Sequence, residues 1–107
     1  MRILFDHCTP APLRRALAHH NIETAFERGW HTLNNGELLG AAEAAGFELL
    51  VTTDQNLPYQ QNPFNRKMAV LVLKTTSWRR IRPHLETVAN AVDGMGIGQY
   101  RELSFPK

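Results

Sequence analysis

The chain holds a single cysteine, Cys8, so no disulfide can form within it, and a reducing cytoplasm is the expected compartment. Long apolar runs are missing too. None approaches the ~20 residues of a membrane span, and Met1–Asp6 lacks a signal-peptide layout, so no membrane role is expected. Net charge is small, with 12 Lys+Arg against 10 Asp+Glu, which by itself does not establish a nucleic-acid partner. Repeats, linkers and low-complexity tracts are absent. What remains is 107 residues, 43% of them apolar, enough for one domain over 1–107 with one core and little decoration.

The apolar segments alternate in type. Arg2–Phe5 is a short run that stops at Asp6, as a buried strand with a polar residue at its carboxyl end does. Thr9-Pro10 predicts a helix start, with Leu13, Ala16 and Leu17 on its apolar face. Ile22–Phe26 is a weaker strand, followed by a polar loop holding Trp30 and His31. Asn34 or Asn35 caps a second helix with the stripe Leu38, Leu39, Ala42 and Ala45, and Gly46 stands where its left-handed cap belongs. Phe47–Thr53 reads as a third strand ending at Asp54, and Ala69–Leu73 as a fourth. Residues 55–67 have no convincing period and read as a loop or a short turn of helix. A helical region starting at Thr76 or Ser77, broken at Pro83, carries Ile81, Leu85, Val88, Ala89 and Val92. Gln99–Leu103 is a last edge strand. This order predicts an α/β fold, a three-layer sandwich with a mainly parallel sheet of about five strands.

In such sheets ligands bind beyond the carboxyl ends of the strands, where the strand order reverses. Asp6 and Asp54 end the first and third strands, and Glu37 falls in the first turn of the second helix. Carboxylates converging on one rim repel one another unless a cation neutralises them, and Mg²⁺ or Mn²⁺ suits oxygen ligands. Such an ion activates water and stabilises charge on a phosphate, the chemistry of metal-dependent nucleases. Asn35, Asn56 and His7 lie beside these acids and are candidates to hold water or substrate, as is Lys74 after the fourth strand. The competing reading is structural: an acid at a strand end caps a turn, and one in a helix's first turn favours the dipole.

The strings ILFD, NNGELLGAAEAAGFELLVTTDQNL and YQQN resemble the small stand-alone PIN-like domains, short relatives of the PIN nuclease domain. The resemblance runs from Met1 to about Leu85. It implies a parallel sheet with acids at its carboxyl edge, divalent metal binding, and RNA cleavage by a metal-activated water. By position, Asp6, Glu37 and Asp54 take the places of the PIN-type acids. Family members are often toxin components, so a small antitoxin protein and a second copy of the chain are the implied protein partners. Many relatives read Asp-Glu-Asn where this chain has Asp6-His7-Cys8, and a further Asp where it has Asn56. Those substitutions motivate a second reading, a non-catalytic module that binds RNA or protein.

Other chemistries fit less well. Cys8 and Arg14 have the bare spacing of a phosphatase loop, but Pro10 and Pro12 remove backbone donors that such a loop needs. A phosphoacceptor domain also has acids ending its first and third strands and a hydroxyl after the fourth, here Thr75 or Thr76. It also wants a second acid beside Asp6 and a lysine after the last strand. The five histidines show no two-ligand helical spacing for zinc, and His19 and His20 read as solvated at a helix end. Arg66-Lys67 and Arg79-Arg80 are candidate contacts for the phosphates of single-stranded RNA, with Trp30 and Trp78 as stacking surfaces.

Overall fold

A computed structural model describes residues 1–55 and 67–106, with only the backbone of Asn35. Five strands form one sheet: β1 (Arg2–Phe5), β2 (Asn21–Thr24), β3 (Leu49–Thr52), β4 (Ala69–Leu73) and β5 (Tyr100–Leu103). Their spatial order is β2-β1-β3-β4-β5, and every pairing is parallel. Parallel strands need covering on both faces, which is why β3 and β4 are buried at every residue.

Alternation along the strands separates two apolar clusters. Ile3, Phe5, Leu49, Val51 and Leu71 point to one face, where they meet Leu13, Leu17, Ile81, Val88 and Val92. Leu4, Leu50, Val70 and Val72 point to the other, where Leu38, Leu39 and Ala42 cover them. The helix α1 (Asn35–Ala44) therefore lies on one side. On the other lie a 3-10 helix (Ala11–Leu17), α2 (Trp78–Ile81) and α3 (Leu85–Asp93), the last two joined by a 3-10 turn at Pro83. The mixed α/β fold and the sheet of five strands agree with the sequence.

The first helix differs from expectation. Thr9 does not cap it, because the Thr9 hydroxyl is turned onto Asp6 and the Val51 carbonyl. Pro10 takes the cap position without a side-chain bond, and the segment winds as a 3-10 helix. The second strand also stops early. It ends at Thr24, and Phe26 lies in the following turn, 71% exposed. Among the described residues no helix is long and apolar enough to cross a membrane.

Candidate functional site at the carboxyl rim

The order of strands reverses between β1 and β3, since the chain leaves β1 toward β2 on one side and returns to β3 on the other. Their carboxyl ends are the ligand position of open parallel sheets. Asp6 follows β1 there, and its amide donates to the Val51 carbonyl at 3.1 Å, continuing the ladder. Asp54 stands two residues beyond the end of β3.

The Asp6 carboxylate is 2% exposed and heavily engaged. Its Oδ1 accepts from the amides of Cys8 (3.1 Å) and Thr9 (2.9 Å) and from the Thr9 hydroxyl (2.6 Å). Its Oδ2 accepts from the Thr52 hydroxyl. Thr52 Oγ1 in turn accepts from the Asp54 amide at 3.1 Å, so two hydrogen bonds link the two acids through one threonine. A carboxylate has about four acceptor sites, two per oxygen, so Oδ2 keeps a lone pair for a further ligand. Asp54 is half-buried, and the Cys8 thiol senses both acids. Desolvation first, and then the charges of Asp6 and Asp54, push that thiol above its usual range, which keeps it protonated and unreactive.

Glu37 reaches the same edge by topology, because a helix that follows a parallel strand starts at its carboxyl end. Its side chain serves α1. Glu37 Oε1 accepts from the Asn34 amide at 3.1 Å, while the Glu37 amide donates to Asn34 Oδ1 at 2.8 Å, a capping box. The three acids are thus not drawn together as one closed ligand set. Among the described residues, the trio placing one ligand atom each within 4.8 Å of one another is His19, His20 and Asp93, elsewhere on the molecule. Mg²⁺ needs only one or two carboxylates and keeps several waters, and Asp6 and Asp54 are the two acids that the neighbouring strands β1 and β3 deliver to one rim. A cage of three carboxylates does not fit.

The remaining candidates divide between the two ends of the sheet. His7 is exposed beside Asp6. Lys74 follows β4 at the rim, where its Nζ lies 4.0 Å from Glu102 and its carbonyl accepts from Gln55 at 3.4 Å. Arg79 is exposed in α2, which starts at the rim, whereas Arg80 is half-buried and donates to the Phe105 carbonyl. That bond makes Arg80 a tie between α2 and the tail of β5 instead of a free phosphate contact. Lys67 lies at the other end altogether. It precedes β4 and so belongs to the amino edge, where it lines a groove with Met1, Met68 and Met95. Asn56 and Arg66 fall outside the described residues, as does the side chain of Asn35.

Neither tryptophan is a free stacking surface. Trp78 packs on the main core, and Trp30 meets Phe47 edge-on at 6.2 Å beneath the Arg28 guanidinium. Among the described residues, the exposed phenylalanine, tyrosine or tryptophan ring is Phe26, 5.0 Å from His31, in the loop that leaves β2 at the carboxyl edge. The bonds of Thr9 and Thr52 to Asp6 were not foreseen, since Thr9 reads as a helix start. Thr52 was legible as the last residue of a strand paired with β1, one place beyond the Phe5–Val51 register. A lysine after β5, as a phosphoacceptor domain requires, is absent among the described residues, where Ser104-Phe105-Pro106 follow. Compared with known proteins, the chain matches no family model, no curated protein and no solved structure.

Proposed function

We propose that this chain is a small PIN-like, metal-dependent ribonuclease acting on single-stranded RNA. The observation that carries the reading is the pair Asp6 and Asp54, at the ends of neighbouring parallel strands where the strand order reverses. Asp6 and Asp54 would hold Mg²⁺ or Mn²⁺, and a bound ion of this kind lowers the pKa of water and offsets charge on a phosphodiester. The rest falls to the chain itself. Thr9 and Thr52 orient the Asp6 carboxylate, Glu37 fixes the start of α1 at the same edge of the sheet, and exposed His7, Lys74 and Arg79 supply positive or hydrogen-bonding groups for phosphates. Phe26 offers a ring for a base to stack on. The antitoxin partner, the homodimer and the cytoplasmic setting rest on the resemblance and on composition.

Purified protein should cleave single-stranded RNA with Mn²⁺, and Asp54→Asn should reduce the rate at least about a hundredfold while the chain stays folded. Cleavage unchanged in Asp54→Asn would sink the assignment.

A second reading is a non-catalytic PIN-like module. Four donors on Asp6 and the capping role of Glu37 favour it, because both acids then have a structural role that needs no metal. Calorimetry separates the two: no heat with millimolar Mn²⁺, together with retained RNA binding, selects the second.

A further inference from the structure

The opposite edge of the sheet carries a second cluster of metal-type ligands. The 3-10 helix ends at Leu17, and the chain turns through His19 and His20 into β2. Asp93 closes α3, which packs on that 3-10 helix through Leu13, Leu17, Val88 and Val92. Both imidazoles aim Nε2 at the same oxygen: His19 lies 2.9 Å and His20 2.8 Å from Asp93 Oδ1. Their rings stand 4.1 Å apart, centroid to centroid. A spacing rule along one helix misses this group, since two ligands are sequence neighbours and the third comes 73 residues later.

We propose that His19 Nε2, His20 Nε2 and Asp93 Oδ1 form a binding site for a divalent transition cation, Zn²⁺ in particular. Two imidazoles and a carboxylate suit zinc, whereas Mg²⁺ prefers oxygen alone. Tetrahedral zinc with bonds of ~2.0–2.1 Å sets its ligand atoms about 3.3 Å apart, so the two contacts to Asp93 Oδ1 must open by about half an ångström, while all three ligand atoms already lie within 4.8 Å of one another. The tautomers allow it. His20 is nine-tenths buried and its Nδ1 has no hydrogen-bond partner, so Asp93 alone holds the ring proton on Nε2. A cation at Nε2 requires the other neutral tautomer, in which the proton has moved to Nδ1 and the Nε2 lone pair is free. Water takes the fourth position. The bound ion clamps the exit of the 3-10 helix to the end of α3 and stabilises the folded chain by mass action.

Calorimetry of the whole chain with zinc chloride tests this. One Zn²⁺ per chain is expected, with a rise in melting temperature, and excess Mg²⁺ should not compete. His19→Ala and Asp93→Asn change exposed side chains, and each should weaken binding about tenfold or more. Asp54→Asn, at the far rim, should leave it intact. Co²⁺ should give the visible spectrum of a four-coordinate site, and lose it in the double variant. Absence of heat with millimolar Zn²⁺ overturns the proposal. So does binding that survives in the His19→Ala, Asp93→Asn double variant or disappears in Asp54→Asn instead.

Discussion

Asp6 shows how one side chain can be structural and chemical at once. It joins the turn 6–9 to the ends of β1 and β3 by accepting from Cys8, Thr9 and Thr52. Removing the acceptor leaves buried donors unpaired, which costs about 1–3 kcal/mol for each. Asp6→Ala should therefore lower the denaturant midpoint markedly, so lost activity in that variant says little about chemistry. Asp54→Asn is the cleaner probe, and Thr52→Val should destabilise by about 1–3 kcal/mol in urea melts. Asp93 gives a pH signature at the same scale. Its folded value is depressed by the hydrogen bonds from His19 and His20, so its contribution is present above the ordinary carboxylate range. That contribution disappears as pH falls through the depressed value. In metal-free buffer, Asp93→Asn should melt below wild type at neutral pH, and the gap should close on acidification. A gap that persists in acid would mean that the asparagine disturbs packing instead.

Helix α1 was legible in the sequence from its apolar stripe and the glycine beyond its end, with the cap left between Asn34 and Asn35, and the structure adds a capping box. Asn34 and Glu37 stand three residues apart before an apolar stripe, a local signal that needs no tertiary context. Asn34→Ala should cost about 1 kcal/mol in thermal melts, and Glu37→Gln much less, because glutamine can also close the box. RNA cleavage in Glu37→Gln should stay within a few-fold of wild type, unlike Asp54→Asn; a collapse as deep as that of Asp54→Asn would return Glu37 to the metal. The 3-10 helix was hidden for the opposite reason. Whether Thr9 caps a helix or turns back onto Asp6 depends on Val51 and Asp6, and Val51 lies 42 residues away in sequence. Strand β4 was legible as an unbroken apolar run, and β3 as one that breaks only at its last residue, buried Thr52, since burial on both faces leaves little room for polar side chains.

At the scale of the molecule, parallel strands give the sheet two chemically different ends. Every strand delivers its following residue to one rim, which gathers Asp6, Asp54, Lys74 and the start of α2. Every preceding residue goes to the other edge, which gathers Lys67, His19, His20 and Asp93. The acids of the rim could be placed from sequence because Asp6 directly follows β1 and Asp54 comes two residues after β3. The basic clusters could not, since a charge next to a strand says nothing until its side of the strand is known. That distinction separates Lys67 from Arg79. A phosphate contact removed from the rim should weaken single-stranded RNA binding and reduce the salt dependence, log K against log salt, by about 0.7 per contact. Arg79→Ala should show both effects, and Lys67→Ala neither, when binding is measured over a range of salt concentrations. Equal losses from both variants would place the RNA across the two edges of the sheet, and the carboxyl rim would no longer be its binding surface.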